Sequence, residues 1–314
     1  MADAMREPAK TLRLPALSRG LDFIVCGVPR SGTSATVQYL NACTGLRCFS
    51  ELFHENADHA AIRLPEGLAA MAGDADIPAN KAEQARHWLD RYDTEIAPSL
   101  VGNKMPAYYL FLGRVLDALS TGRAIVCLRD IAGIMGSYNA RARRGTEWHA
   151  GRTGMFAGGE QLVLLKALLH ARDRDLLLLP HAALLHDPQA TTEAMVAFLS
   201  AGTERAMRIH EDQVEGVRAQ GAEKRAAHTP LNATEEQVAA LFQTDGLQAL
   251  FASPRPIHIR DLPAPAAAEM AALPSDVVGY LEPFATGSEH IPNRHFWPAF
   301  CESMAAGELN PRAL

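Results

Sequence analysis

The stretch "FIVCGVPRSGTSATVQYLN", residues 23–41, predicts the fold of this 314-residue chain. Four apolar residues, Phe23–Cys26, form a predicted strand, and a turn over Gly27–Gly32 leads into a stretch that can be helical. The spacing of the two glycines fits the phosphate-cradling pattern G-x-x-x-x-G-K-[ST]. The lysine of that pattern is missing, however, because Thr33 stands in its place and the cation comes earlier, at Arg30.

A turn of this kind is well suited to bind an anion. It presents several backbone N–H groups to one point, and the helix that follows adds about half a positive charge there. Ser31, Thr33 and Ser34 add hydroxyl donors, and Arg30 adds a fixed cation. The dinucleotide fingerprint G-x-G-x-x-G does not fit, since Val28 occupies the place of its second glycine. We therefore predict an anion site here in preference to a plain strand-to-helix turn.

Composition limits the classes of protein that fit. The chain is 48% hydrophobic with a net charge of −6, so it can build one large core and has no overall basic field for nucleic acid or anionic lipid. The five cysteines are scattered without C-x-x-C spacing, which favours a reducing cytoplasm. The first 20 residues are polar, and no apolar run approaches the ~18 residues of a membrane span. We expect a soluble, cytoplasmic protein with no nucleic-acid partner.

Short apolar runs alternate with longer helical patterns, which is typical of βαβ units. The fold class that follows is α/β, a three-layer sandwich around a central parallel sheet that contains the strand–loop–helix described above. The predicted strands are Phe23–Cys26, Leu46–Phe49, a short one near Leu100–Gly102, Ala124–Leu128 and Leu176–Leu179.

Helix signals dominate after the last of these strands. Asp187 is a predicted N-cap with Pro188 at the first helical position, and "NATEEQVAALF" predicts a helix with a capping box from Thr234 to Gln237. From about residue 203 the strand signal fades, and "SPRPIHIRDLPAPA" opens a loop-rich tail. The expected organisation is an N-terminal tail, an α/β core and a helical, loop-rich extension packed on the core within one domain. Their ranges are 1–20, 21–202 and 203–314.

Polar side chains follow consecutive predicted strands at the points where the strands end. Glu51 and His54 come after the second strand, Lys104 after the third and Arg129 after the fourth, with Ser137 about two helical turns further on. In an open α/β sheet, ligands bind beyond the carboxyl ends of the strands. The sequence therefore predicts one functional site at that edge of the sheet.

The segments "GVPRSGTS", "NKMPAYYL" and "LRDIAGIMGSYN" together resemble the sulfotransferase family that uses 3′-phosphoadenosine 5′-phosphosulfate (PAPS), and a further stretch adds to this resemblance. "GVPRSGTS" resembles the family's 5′-phosphosulfate loop, and "LRDIAGIMGSYN" its 3′-phosphate motif, an Arg followed eight residues later by a Ser. "NKMPAYYL" is similar to the K-x-P-x-Y-F stretch of glycan sulfotransferases, and "DLLLLPHAALLHDPQATTEAMVAFL" to the family's later strand and helix. The resemblance covers about residues 21–200 and implies the P-loop-like fold of the bacterial members.

The resemblance also implies a role for each matching position. Arg129 and Ser137 would hold the 3′-phosphate, and Lys104 would face the bridging oxygen on which negative charge develops. Glu51 matches the general base of many bacterial and glycan-directed members, with His54 as the reserve candidate. The donor would be PAPS without a metal ion. The loop residues that would wrap the 5′-phosphosulfate are Arg30, Ser31, Gly32, Thr33 and Ser34, of which Arg30 also belongs to the catalytic set.

The chain departs from the family pattern at two points. Ile131 stands where the family usually has proline, and the C-terminal Arg-Lys-Gly segment that often completes the 3′-phosphate site is not visible. Arg255, Arg260 and Arg294 are the open candidates for its replacement.

Other readings of the sequence stay open beside the resemblance. One is a nucleotide-dependent kinase with an atypical phosphate loop, and another is a nucleotide-binding protein without activity. Because the chain is net acidic, a small-molecule, lipid or sugar acceptor with a hydroxyl or amine is expected, and a homodimer is left open. "HENADH", residues 54–59, spaces its histidines five apart, which argues against a metal site. His181 is interpreted as a surface or hydrogen-bonded residue.

Overall fold

A computed structural model describes residues 19–53, 62–144, 153–223 and 229–274. Within these ranges the strands form a six-stranded sheet, in the order β3-β4-β1-β5-β6-β8, and a small sheet of β2 and β7. The first five strands of the large sheet are parallel, and β8 is antiparallel to β6 at one edge. The strands are β1 (Phe23–Cys26), β2 (Cys43–Thr44), β3 (Leu46–Ser50), β4 (Leu100–Lys104), β5 (Arg123–Leu128), β6 (Asp175–Pro180), β7 (Arg208–Ile209) and β8 (Ile257–His258).

Helices cover both faces of the large sheet and make it the middle of three layers. The helices are α1 (Thr33–Asn41), α2 (Glu66–Gly73), α3 (Ala79–Asp90), α4 (Leu112–Ala118), α5 (Ile131–Arg144), α6 (Gly154–His170), α7 (His181–His186), α8 (Pro188–Ser200), α9 (Glu211–Glu223), α10 (Ala233–Ala240), α11 (Asp245–Phe251) and α12 (Ala264–Ala272). A π-helical turn, Tyr92–Ile96, and two 3-10 turns, Pro106–Phe111 and Ile259–Asp261, complete the set within the described ranges. None of these described helices is both long and apolar enough to cross a membrane.

The alternation of side chains along the strands explains the layers. Ile24 and Val126 pack on one side of the sheet, against side chains of α5, α6 and α10–α12. Phe23 and Ile125 pack on the other side, against side chains of α1 and α8. Since both faces are buried, every residue of β1 is apolar, as expected for a central parallel strand.

The predicted α/β class and all five predicted strands are confirmed. The sequence missed β2, β7 and β8, because a strand of two residues is too short to give a hydrophobic pattern. The loop-rich tail predicted from the proline-rich stretch is wrong over Ala264–Ala272, where α12 forms with proline in its first turn.

One helix cap is confirmed and another is corrected. The Asp187 side chain accepts a hydrogen bond from the Ala190 N–H at 2.9 Å and caps α8 as predicted. The capping box of α10, however, joins Asn232 to Glu235, so the prediction that it starts at Thr234 is wrong by two residues. Both tetrapeptides fit the capping pattern, and the structure uses the earlier one because α10 begins at Ala233.

Candidate functional site

The carboxyl ends of the five parallel strands form one edge of the sheet. Glu51 directly follows β3, and Lys104 is the last residue of β4. The glycine loop follows β1, and Arg129 and His181 directly follow β5 and β6. The strand order therefore places these groups along the edge in the order in which they are named here.

The loop after β1 is shaped by close backbone contacts. A Cβ atom on Gly27, whose φ is 140°, would lie 2.4 Å from the Cys127 carbonyl oxygen, so only glycine fits there. Gly32 precedes α1 with a φ of 108° and makes no side-chain cap, which leaves the first N–H groups of the helix for a ligand. Arg30 is also left-handed, with a φ of 73°. The loop thus turns sharply around an open helix N-terminus.

The hydroxyl groups of the loop differ in their surroundings. The Ser31 hydroxyl is buried and has no hydrogen-bond partner among the described residues. Thr33 is buried as well, whereas Ser34 is exposed. Since a buried polar group without a partner is unfavourable, the Ser31 hydroxyl fits a site that an anionic ligand completes.

Arg30 and Arg129 meet beside α5. The Arg30 Nε donates to the buried Ser137 Oγ at 2.9 Å, and the Arg129 Nη1 donates to the Arg30 carbonyl oxygen at 3.1 Å. Burial lowers the pKa of Arg30, and the nearby charges of Arg141 and Arg129 lower it further. Burial also lowers the pKa of Arg129, although Asp130 opposes this. Half-buried arginines that repel one another favour an anion between them.

Lys104 and Glu51 form an ion pair on the other side of the loop. The Lys104 side chain is only 2% exposed, and its Nζ contacts the Glu51 Oε1, while the Glu51 side chain is 40% exposed. The Glu51 N–H donates to the Lys104 carbonyl oxygen at 2.7 Å, so the two residues are joined through backbone and side chain. The pair brings a cation and a carboxylate to one point at the edge of the sheet.

Comparisons with known proteins identify the family of the chain. Residues 22–205, more than half of the chain, match the family model described as "Sulfotransferase family". The chain belongs to this sulfotransferase family. No curated protein matches the sequence significantly.

Solved structures that resemble the sulfotransferase share 17–18% sequence identity with it. Sulfotransferase STF9 from Mycobacterium avium has a TM-score of 0.41, with 74% of this chain and 75% of that chain covered. The sulfotransferase domain of the Synechococcus PCC 7002 olefin synthase has a TM-score of 0.38, with 72% and 95% covered. A sulfotransferase from Alicyclobacillus acidocaldarius also has 0.38, with 65% and 92% covered.

His181 of the sulfotransferase packs against the loop. The sequence analysis interpreted it as a surface or hydrogen-bonded residue and did not predict this contact. A Cβ atom on Gly32 would lie 2.9 Å from the His181 Cδ2, so the imidazole touches the start of α1. Burial, reinforced by the charge of Arg129, lowers its pKa to about 4. The ring is therefore neutral at neutral pH. The signal that could have found it is its position directly after a parallel strand, the signal that led to Glu51 and Arg129.

Two buried thiols, Cys48 and Cys127, lie near Lys104. Burial raises the pKa of Cys127 to about 12, although a hydrogen bond with Thr36 and the charge of Lys104 oppose this. Burial raises the pKa of Cys48 as well, again against the charge of Lys104. Both thiols stay protonated at neutral pH, so neither forms an ion pair with the Lys104 ammonium.

Several candidates of the sequence fall elsewhere. His54 and Arg294 lie outside the described residues. The Arg260 Nη2 contacts the Asp175 Oδ1 at 3.0 Å. Because Asp175 is the first residue of β6, Arg260 lies at the amino ends of the parallel strands, whereas the loop lies at their carboxyl ends. Arg255 is exposed. Among the described residues, no group of three or more His, Cys, Asp or Glu side chains could hold a metal ion.

Proposed function

We propose that this sulfotransferase moves a sulfuryl group from PAPS to a hydroxyl or amine of a small-molecule, lipid or sugar acceptor. The observation that carries the proposal is the edge of the sheet formed by the carboxyl ends of the parallel strands, where the loop with its half-buried Arg30 lies between Arg129 on one side and the Lys104–Glu51 pair on the other. Family membership supports sulfuryl transfer in general. The donor and the residue roles are the proposal.

On the donor side, the loop from Arg30 to Ser34 wraps the 5′-phosphosulfate. The Ser31 hydroxyl, which has no partner among the described residues, and the start of α1, which has no side-chain cap, support this role, because both can donate to the acceptor oxygens of the anionic ligand. Arg129 and Ser137 hold the 3′-phosphate. The bond from Arg30 to Ser137 supports one continuous donor site, since it joins the loop to α5.

On the acceptor side, Glu51 acts as the general base and Lys104 as the electrophilic partner. The acceptor oxygen forms a bond to sulfur while the bond from sulfur to the bridging oxygen breaks. The acceptor proton passes to the Glu51 carboxylate, and the electron pair of the broken bond stays on the bridging oxygen, where Lys104 meets the new charge. When Lys104 turns to that oxygen it releases Glu51, so one ion pair supplies both groups.

The donor assignment is tested by titration calorimetry with the product 3′-phosphoadenosine 5′-phosphate. A hydrogen bond to a charged group contributes about 1.5–3 kcal/mol, so Arg129→Ala should weaken binding about tenfold or more. Arg260→Ala is the matched control. This arginine pairs with Asp175 at the amino ends of the parallel strands, so the substitution should leave the affinity unchanged. Equal affinities for wild type and Arg129→Ala would contradict the assignment.

The kinase alternative predicts Mg²⁺-dependent turnover of ATP. The missing loop lysine argues against it, since that lysine contacts the transferred phosphoryl group in enzymes whose loop follows the full G-x-x-x-x-G-K-[ST] pattern. The non-catalytic alternative predicts tight binding of the same nucleotide without any transfer. The position of a carboxylate beside Lys104 at the edge that carries the loop favours an enzyme over a binding protein.

A further inference from the structure

Glu51 has a backbone conformation that is unusual for its residue type. Its φ is 56°, in the left-handed region, which for a residue other than glycine is unfavourable by about 1–3 kcal/mol. Such a conformation persists only where surrounding contacts restrain it. The contacts that restrain Glu51 therefore determine where its carboxylate points.

Two of these contacts come from the backbone of Glu51. Its N–H donates to the Lys104 carbonyl oxygen at 2.7 Å. Its carbonyl oxygen accepts a hydrogen bond from the Lys81 Nζ at 2.6 Å, and the same ammonium lies 3.4 Å from the Ser50 carbonyl oxygen. Lys81 thus binds the carbonyl groups of the last residue of β3 and of the residue that follows it.

Lys81 is fixed by the helix that carries it. It is the third residue of α3 and is half-buried. The same helix packs on the sheet through Trp88, whose ring lies 5.6 Å from the Phe49 ring, centroid to centroid, in an edge-on arrangement. The ammonium of Lys81 is therefore held against the end of β3 by packing elsewhere on α3.

We propose that Lys81 is a positioning residue that keeps Glu51 in its left-handed conformation and its carboxylate on Lys104. The inference rests on the proposed function, in which that carboxylate takes the acceptor proton. Without the Lys81 ammonium, the Glu51 carbonyl loses a charge-assisted hydrogen bond. The backbone then relaxes toward an extended conformation, in which successive side chains alternate between the faces, and the carboxylate turns away from Lys104.

The first experiment needs no turnover. Amide hydrogen exchange at Glu51 should be about tenfold faster or more in Lys81→Met than in wild type, and Lys81→Arg should restore the protection. Lys166→Met is the matched control, because the Lys166 Nζ donates to the Ala271 carbonyl at 3.1 Å, between α6 and α12. Protection of Ile125, in the middle of the sheet, checks that every variant is folded.

The second experiment separates positioning from general destabilisation. Lys81→Met should lower kcat about tenfold with little change in the KM for the donor, and it should lower kcat much less in a Glu51→Gln background. An equal loss in both backgrounds, or unchanged exchange at the Glu51 amide, overturns the positioning role. If the wild type transfers no sulfuryl group at all, the proposed function fails, and the exchange at the Glu51 amide still decides whether Lys81 restrains this residue.

Discussion

Glu51 and Lys104 differ in how deeply they are buried, and this difference shapes their chemistry. The Lys104 side chain is almost fully enclosed, so its charge depends on the carboxylate for compensation, whereas Glu51 keeps contact with solvent. Removing one partner of a buried pair is strongly unfavourable because the other charge is left alone. Substitutions at this pair should therefore keep a group that can accept a hydrogen bond from the Lys104 ammonium.

Glu51→Gln meets this condition, since the amide oxygen can accept from Lys104 but the side chain takes no proton. A positioned general base contributes about 10²–10⁴-fold, so kcat should fall by about that factor. The affinity for 3′-phosphoadenosine 5′-phosphate should stay close to that of wild type, because Glu51 is not among the proposed donor-binding residues. Steady-state kinetics with a surrogate alcohol measure the first quantity and calorimetry the second.

His54→Ala is the comparison variant for this prediction, as His54 follows Glu51 closely in the chain. With Glu51 as the base, His54→Ala should keep most of the activity. If Glu51→Gln keeps a kcat near that of wild type and His54→Ala does not, the base is the histidine.

The sequence located Glu51, Lys104 and Arg129 because each stands at the end of a strand. It did not predict that Lys81 reaches this edge, since Lys81 lies inside a helix and its position depends on how α3 packs against β3. It also did not predict the bond between Arg30 and Ser137, because the left-handed backbone of Arg30 sets the direction of that side chain. Tertiary packing and local backbone geometry account for both gaps.

At the scale of elements, the β1–loop–α1 unit is held by contact with the neighbouring strand. Gly27 lies so close to the Cys127 carbonyl that the loop and β5 fit together only without a side chain. The Gly27 N–H also donates to the Pro106 carbonyl oxygen at 3.2 Å, just after β4. The loop is thus clamped between the segments that carry Lys104 and Arg129.

Gly27→Ala should destabilise the protein by at least about 2 kcal/mol, because the new methyl group meets backbone and the φ of 140° disfavours it. Gly113→Ala is the matched control. A Cβ atom there meets nothing within 4 Å, and the residue lies inside α4, so the change should stabilise the protein by about 0.5–1 kcal/mol. Urea unfolding of the two variants measures both effects, and equal stabilities would contradict the clamped loop.

Element boundaries also show where sequence patterns stop being informative. The long apolar runs of β5 and β6 were found because both faces of these strands are buried. The start of α10 was misplaced because two overlapping tetrapeptides fit a capping box, and only the position of the helix distinguishes them. The very short β8 forms because the edge of β6 offers hydrogen-bonding groups, a feature of the assembled sheet that its own residues do not encode.

At the scale of the whole molecule, a net acidic chain places two half-buried arginines, Arg30 and Arg129, and a neutral histidine at the carboxyl ends of its parallel strands. His181 is half-buried beside Arg129, and its pKa is lowered from 6.5 to about 4. Above pH 6.5 it is neutral in both the folded and the unfolded chain. As the pH falls from 6.5 to 4, the unfolded chain binds the proton first, and stability is lost.

His181→Gln should remove this part of the acid sensitivity. One pKa unit corresponds to about 1.4 kcal/mol, so wild type should lose on the order of 3 kcal/mol more than the variant between pH 7 and pH 4. His186→Gln, an exposed histidine at the other end of α7, should keep the wild-type pH dependence. Thermal or urea unfolding across this range checks the difference, and parallel pH profiles for wild type and His181→Gln would refute it.

The order of the strands has a consequence for how new specificities can evolve in this fold. On the proposed roles, the residues that recognise the donor lie after β1 and β5, whereas the base and its positioning lysine lie after β3 and on α3, beyond β4. On these roles, substitutions on β3 and α3 should alter the choice of acceptor and leave the affinity for the donor unchanged. The strand order thus allows the choice of acceptor to change during evolution while binding of the donor is kept.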